Sequence, residues 1–241
     1  MGGHRIGART MVFPSAPVLS GFAAVAGKKE GEGPLGNSFD YVALDTTFGE
    51  KSWEKAESRM QRECAHRALA KAKRSTEQLQ FIFGGDLINQ CITSAYGMRG
   101  TECPYVGLYG ACSTMAESLM LAAMAVDGGF AEAAAAVTSS HFASAERQYR
   151  FPLEYGGQRT PTAQWTVTGA GCAVVTAQGE GPRIVRALAG KIVDFDVKDA
   201  NNMGAAMAPA VQKDTPYKKA GIKSRPFCFF SLAQRLLTDS R

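Results

Sequence analysis

Short apolar runs alternate with stretches of helical periodicity in the middle of the chain, and this alternation predicts the fold class. Apolar runs at residues 79–83, 105–109 and 133–138 have the length of buried strands. Segments of helical character separate them, at residues 87–98 and 118–126. The order β-α-β-α-β is typical of a mostly parallel sheet flanked by helices. We therefore predict an α/β protein.

The flanking sequence adds further elements to this pattern. Residues 53–72 carry apolar side chains at helical spacing with charges between them, which predicts an amphipathic helix. Two apolar segments, residues 167–175 and 183–188, are expected to form strands. Residues 26–38, rich in glycine and charge, and the polar residues 142–168 are expected to be loops.

Three chemically versatile side chains follow directly after predicted strands. Asp86 comes after Phe-Gly-Gly, Cys112 after the strand near Val106, and His141 after the Ala/Val strand. Carboxyl ends of neighbouring parallel strands meet at one edge of a sheet, where ligands of such folds bind. We expect Asp86, Cys112 and His141 to lie at that edge.

Cys112 stands at a predicted strand-to-helix turn, where amide N–H groups and the helix dipole favour a thiolate. Thr114 and Glu117 fit a capping box that would start the following helix. The alternative is a small buried residue without chemistry, since free cysteine is often buried. The other five cysteines are expected to be core residues: Cys64, Cys91, Cys103, Cys172 and Cys228.

The remaining candidates each have a structural alternative. Asp86 is either a ligand-binding carboxylate or the N-cap of the segment that follows it. His141 is a ligand residue, the base of a Cys–His pair or a structural histidine. Arg147, Arg150 and Arg159 belong to a solvated loop or clamp a carboxylate bidentately.

Composition excludes several classes of function. The six cysteines form no CxxC pair and have no neighbouring histidine, so a metal site is not expected. The net charge of +5 comes from residues 211–241, which hold seven Lys/Arg and two Asp, 7 − 2 = +5. The rest of the chain is neutral, so nucleic-acid binding is not expected. No apolar run approaches the roughly 20 residues of a transmembrane helix.

Longer motifs carry a resemblance to a known family. Residues 107–114 (GLYGACST) and 169–175 (GAGCAVV) resemble the first half of thiolase and ketoacyl-synthase folds. More specific matches link the chain to the stage V sporulation protein AD family, which is thiolase-like. These are residues 84–90 (GGDLINQ), 127–130 (DGGF), 138–148 (TSSHFASAERQ), 151–158 (FPLEYGGQ) and 203–209 (MGAAMAP).

The resemblance implies a layered thiolase-like fold and a role in uptake of dipicolinic acid (pyridine-2,6-dicarboxylic acid) into the forespore. The ligand would be the dicarboxylate or its calcium chelate, with no cofactor. The motif match carries Asp86 and Cys112 over as pocket residues, and our reading of the residues adds His141, Arg147 and Arg150. The protein would act peripherally at the forespore inner membrane, with other proteins of the same operon. The alternative is an acyltransferase or condensing enzyme with Cys112 as nucleophile.

The resemblance covers roughly residues 9–210. We predict a thiolase-like N-terminal region over residues 1–210, and residues 211–241 are interpreted as a basic, divergent tail. Neither a Gly-His-Pro nor a Cys-x-Gly motif of a second half is present. We therefore expect the second half of the fold to be missing. An apolar face left uncovered in this way would give a weakly stable chain or favour a homodimer.

Overall fold

The computed structural model describes residues 3–149, 166–198 and 205, with side chains 146–149 excepted. The strands in these residues are β1 (His4–Ile6), β2 (Thr10–Val12), β3 (Val18–Ala26), β4 (Tyr41–Val42), β5 (Phe81–Gly85), β6 (Tyr105–Gly107), β7 (Ala133–Ser140), β8 (Gly169–Thr176) and β9 (Arg186–Leu188). The α-helices are α1 (Lys28–Gly31), α2 (Trp53–Lys71), α3 (Ile92–Met98), α4 (Thr114–Asp127) and α5 (Phe142–Tyr149). Residues 3–149 and 166–187 belong to one compact unit, and the description below concerns that unit.

The main sheet has six strands in the order β4-β3-β8-β7-β5-β6. Parallel pairing joins β3 to β4, β5 to β6 and β5 to β7, while β8 pairs antiparallel with both β3 and β7. Five strands therefore run in one direction and β8 runs in the other. The predicted α/β class, with a mixed and largely parallel sheet flanked by helices, is confirmed. A smaller sheet has the order β1-β2-β9.

The two long helices pack against different sets of strand residues. A buried core joins one face of α2 to Ala133, Ala135 and Val137 of β7. The intervening Ala134 and Ala136 point to the opposite face, because successive strand side chains alternate. The helix α4 contacts β5 and β7 but contributes no residue to the α2 core. The sheet is therefore covered by helices on both faces, as a parallel sheet requires.

Three of the predicted segments differ in the structure. The loop expected over residues 26–38 contains the short helix α1. The helix expected over residues 87–98 covers only α3, because Gln90 and Cys91 adopt left-handed backbone at φ 65° and 49°. Part of the loop expected over residues 142–168 is helical, namely α5. A side chain of α5, Ser144, bonds to Glu57 of α2, a tertiary contact that a local pattern does not contain.

The strand β3 was absent from the sequence-based prediction, although it is nine residues long and lies inside the main sheet. Its apolar run is bounded by Pro17 and Gly27, which is a recognisable signal for a buried strand. The predicted domain boundary at residue 210 and the tail at 211–241 lie outside the described residues. Within the described part, no helix is both long and apolar enough to cross a membrane.

Close backbone packing fixes the distance between α2 and the sheet at Gly21 of β3. A Cβ atom there would lie 2.4 Å from the Ala68 carbonyl oxygen and 2.5 Å from the Ala72 nitrogen. Both neighbours are helix backbone atoms, which cannot move aside as a flexible side chain can. Only glycine allows this approach of helix and strand.

We expect Gly21→Ala to lower the free energy of unfolding by about 2 kcal/mol or more, because the helix must move off the sheet. Urea denaturation followed by circular dichroism measures this change. Gly190→Ala is the control, since a Cβ there meets no atom within 4 Å. Equal stability of the two variants would contradict the close-packing argument.

Candidate functional site

A cluster of buried polar side chains lies at the carboxyl ends of β5 and β7. We call it the strand-end cluster; it consists of Glu57, Gln61, Asp86, Ser94, Ser139 and Ser144. Each member is at most 8% exposed. The residues come from α2, from the end of β5, from α3, from β7 and from α5. A buried polar group requires hydrogen-bond partners inside the protein. The hydrogen bonds of this cluster therefore fix how the five elements pack against one another.

Asp86 satisfies both carboxylate oxygens within the protein. Its Oδ2 accepts hydrogen bonds from the Ser94 backbone N–H at 2.7 Å and from the Ser94 hydroxyl at 2.6 Å. Its Oδ1 accepts from the Ile88 backbone N–H at 2.8 Å. The carboxylate therefore binds both the segment directly after it, through Ile88, and the first turn of α3, through Ser94. Its role as a ligand residue stays a prediction.

Glu57 is fully buried and lies between two serines. The Ser139 hydroxyl donates to Oε1 at 2.9 Å, and Ser144 Oγ lies 3.0 Å from Oε2. Burial and, to a smaller extent, the negative charge of Asp86 raise the pKa of the Glu57 carboxyl to about 8, against the opposing effect of the nearby hydroxyls. Glu57 is therefore a neutral carboxylic acid at pH 7.

His141 is fully buried and uses both ring nitrogens. Its Nδ1 accepts from the Ala143 backbone N–H at 3.2 Å, so Nε2 carries the proton and donates to the Thr46 carbonyl oxygen at 2.7 Å. The ring stacks with Trp53 and Phe142. Burial lowers the pKa of His141, which keeps the imidazole neutral. In this arrangement it anchors the loop at Thr46; contact with a ligand stays a prediction.

Cys112 lies on the surface, in a 3-10 turn that leads directly into α4. Ala111 before it adopts left-handed backbone at φ 47°, an unusual conformation for a residue with a Cβ. The predicted capping box is wrong: Thr114 is the first residue of α4, and its hydroxyl bonds to Gly110 and Ala111 instead of to Glu117. The tight turn, rather than a capping side chain, sets the start of this helix.

The other cysteines largely follow the expectation of core residues. Cys64, Cys91 and Cys172 are buried, and Cys103 is half-buried. Burial raises the pKa of each of these four thiols. Cys228 lies outside the described residues. Cys112 therefore differs from the other four described cysteines in its exposure to solvent.

The strand ends bring Asp86 and His141 into the protein interior, while Cys112 faces solvent. Arg147 belongs to α5, but its side chain lies outside the described part of the chain, as do Arg150 and Arg159 entirely. In the described residues, no group of three or more His, Cys, Asp or Glu side chains could hold a metal ion.

Sequence reasoning missed Glu57, Gln61, Ser94 and Ser144. Glu57 and Gln61 are four residues apart on α2, next to the apolar positions Ala56 and Met60. A charged side chain on the apolar stripe of an amphipathic helix is the available signal, because an acid at such a position needs a buried partner. Its partners are far away in sequence, 82 residues for Ser139 and 87 for Ser144.

Comparison with known proteins gives the family. A family model described as stage V sporulation protein AD matches residues 7–223. The chain is also 41% identical over 204 residues to stage V sporulation protein AD of Bacillus subtilis (strain 168), which covers 85% of this chain and 60% of that protein. The chain belongs to the stage V sporulation protein AD family. It spans about 60% of the length of this curated relative of the sporulation family.

Solved structures similar to this sporulation-family chain include two 3-oxoacyl-(acyl carrier protein) synthases III. The enzyme from Aquifex aeolicus VF5 is 16% identical, with a TM-score of 0.45 over 68% of this chain and 55% of that chain. The enzyme from Xanthomonas oryzae pv. oryzae is 15% identical, with a TM-score of 0.46 over 69% and 57%. These likenesses are partial, and no catalytic role follows from them.

We expect Asp86→Asn to lower the free energy of unfolding by about 2 kcal/mol, because an amide NH2 group would face the donors of Ser94 or Ile88. Urea denaturation at pH 7 measures the loss. Glu180→Gln, an acid-to-amide change at an exposed position, is the control and should change stability by less than about 0.5 kcal/mol. A stability for Asp86→Asn equal to that of Glu180→Gln would show that these bonds contribute nothing.

Proposed function

We propose that this chain binds dipicolinic acid, or its calcium chelate, in a pocket at the carboxyl ends of β5, β6 and β7. The protein would serve uptake of the dicarboxylate into the forespore and would not be a catalyst. The observation that carries the proposal is membership of the sporulation family together with an exposed Cys112 at a strand-to-helix turn. The carboxyl edge of a parallel sheet is where ligands of α/β proteins bind.

Cys112 and its neighbours would form the accessible floor of the pocket. The turn that carries Cys112 is exposed throughout residues 111–113, and Tyr109 beside it is 49% exposed. An aromatic side chain at this position suits a pyridine ring, which prefers an offset or edge-to-face contact. The sulfur would pack against the ligand without bonding to it covalently.

The two carboxylates of the ligand require positive partners. Arg147 and Arg150 are the candidates, since a guanidinium binds a carboxylate bidentately. Asp86 and His141 would take part indirectly, because their polar atoms are occupied by Ser94, Ile88, Thr46 and Ala143. They would hold the strand ends that carry the accessible residues. A direct contact of either with the ligand is the second form of this proposal.

The alternative function is acyl transfer with Cys112 as the nucleophile, and its exposed position on a tight turn favours that reading. Such chemistry needs a general base within hydrogen-bond reach. His141 is occupied at both ring nitrogens and is buried, so it offers no base to Cys112 in this arrangement. Binding without catalysis is therefore the favoured function.

For partners and location we propose peripheral action at the forespore inner membrane, with other proteins of the same operon. A homodimer is part of the same proposal. Support for the location and the operon partners comes from the family alone, and the chain covers 60% of the length of its curated relative.

We expect calorimetry with calcium dipicolinate to give a measurable affinity that Cys112→Ala weakens about fivefold, which corresponds to about 1 kcal/mol of lost contact. Arg150→Ala should weaken binding about tenfold or more, because one carboxylate loses a charged partner. Cys103→Ala is the control, since Cys103 bonds to Leu79 away from the Cys112 turn. Unchanged affinity in both Cys112→Ala and Arg150→Ala would refute the site.

The acyl-transfer alternative makes a different prediction. If Cys112 were a nucleophile, incubation with acetyl-CoA would add about 42 Da to the intact mass of the wild-type chain, and Cys112→Ser would abolish the rapid thioester adduct. We expect no such adduct in either protein. A thioester on Cys112 would replace the binding proposal by the enzymatic one.

A further inference from the structure

The Glu57 carboxyl connects three elements, α2, β7 and α5. Its protonation state determines how many hydrogen bonds join them. The carboxyl projects from α2, contacts Ser139 at the end of β7 and contacts Ser144 in the first turn of α5. The residues Glu57 and Ser144 are 0% and 2% exposed, so water does not replace these bonds in the closed structure.

Counting protons shows which form of the acid fits. The Ser139 hydroxyl donates its one proton to Oε1 of Glu57. Ser144 Oγ lies 3.0 Å from Oε2 and 3.2 Å from the carbonyl oxygen of His141, and it also has only one proton. If Oε2 is protonated, it donates to Ser144, and Ser144 donates to His141. The neutral acid thus allows all three hydrogen bonds at once, whereas the carboxylate allows two.

Among the side chains that the structure describes, no cation pairs with Glu57. Among the described residues, the ion pairs of basic side chains involve Glu50, Glu63, Asp40 and Asp196, and none involves Glu57. The Thr93 hydroxyl is close enough to oppose the rise in the pKa of Glu57, yet it makes no hydrogen bond of ordinary geometry. A charge on Glu57 would therefore be buried without a cationic partner among the described side chains.

We propose that the Glu57 carboxyl is a proton-dependent latch, which holds the start of α5 against α2 and the end of β7 while it is protonated. Loss of the proton to solvent leaves a buried anion, and the system lowers that cost by separating α5 from α2 so that water reaches the carboxylate. The latch would regulate the candidate site. Its effect on ligand affinity rests on the proposed function, whereas the existence of the latch does not depend on that function.

The direction of the pH effect follows from the raised pKa of Glu57, about 8, against about 4.3 for an exposed glutamate. The stabilisation is fully present below the ordinary value and is lost as the pH rises through 8. If the open state restores the ordinary pKa, the equilibrium constant for opening rises about tenfold between pH 7 and pH 9.

Other ionisable groups near Glu57 affect the pKa values of Glu57 and His141. Asp86, at the end of β5, raises the pKa of Glu57 through its charge. His141, at the end of β7, has a lowered pKa and stays neutral throughout this pH range, while Glu30 and Glu54 act on His141. From α3, the hydroxyl of Thr93 acts on Glu57, whereas Ser94 donates to Asp86. Glu146 and Arg147 of α5 carry charges, and their side chains lie outside the described part.

Hydrogen exchange read by mass spectrometry on peptides spanning residues 141–149 tests the latch in the full chain without ligand. After correction for intrinsic exchange rates, wild type should show an opening constant about tenfold higher at pH 9 than at pH 7. Glu57→Gln keeps a neutral, hydrogen-bonding side chain, so its opening constant should change less than twofold. Glu54→Gln, on the same helix, is the matched control and should respond as wild type does.

Equal pH responses in wild type and Glu57→Gln, or no response in wild type, would overturn the proposal. If Glu57→Gln does not fold, ¹³C NMR of wild type labelled at glutamate carboxyls decides instead. A carboxyl that titrates near pH 8 supports the latch, and titration of every glutamate between about 3 and 6 refutes it. Because no ligand is added, failure of dipicolinate binding leaves this result unaffected and the two failures remain distinct.

Discussion

The arrangement of the strand ends depends on burying acids without water. Glu57 and Asp86 are both inaccessible, and an unpaired buried polar group costs about 1–3 kcal/mol, more when it is charged. The protein meets this constraint in two ways. Asp86 collects three donors from the turn after β5 and the start of α3, while Glu57 is surrounded by serine hydroxyls and remains neutral. The positions of α3 and α5 follow from these bonds.

The buried and exposed halves of the candidate site consequently have different tasks. Asp86, His141 and Glu57 have their polar atoms occupied by neighbouring elements and therefore fix geometry. Cys112 lies outside this network, on a turn strained at Ala111, with its sulfur open to solvent. A ligand would meet the turn around Cys112 first, and the buried residues would determine whether that turn keeps its shape.

Much of the fold could be predicted from the sequence because its central strands are short, apolar and separated by helical periodicity. The segments β5, α4, β6 and β7 follow such local patterns, so their order and their shared carboxyl edge were foreseeable. The start of α4 and the extent of α3 were not, because both depend on left-handed residues, Ala111 in one case and Gln90 and Cys91 in the other.

The site was predictable to a lesser degree, for a physical reason. Position after a strand identified Asp86, Cys112 and His141, since that signal is local in the chain. The partners that determine their roles are not local: the Thr46 carbonyl lies 95 residues from His141, and Ser144 lies 87 residues from Glu57. No periodicity encodes such pairings. They emerge only when the sheet order brings β7 beside β5 and α2 packs across β3, β8 and β7.

The single antiparallel strand adds one more consequence for the site. Because β8 runs against β7, it begins at the edge where β7 ends, with Ser140 opposite Gly169. The Ser140 hydroxyl donates to the Val167 carbonyl oxygen, and the Phe142 N–H donates to the Thr168 hydroxyl. These hydrogen bonds link the end of β7 to the residues that precede β8. The chain thus leaves the strand-end edge through α5 and returns to the same edge at Thr166. An antiparallel strand in an otherwise parallel sheet therefore brings the chain back to the edge at which β7 ends.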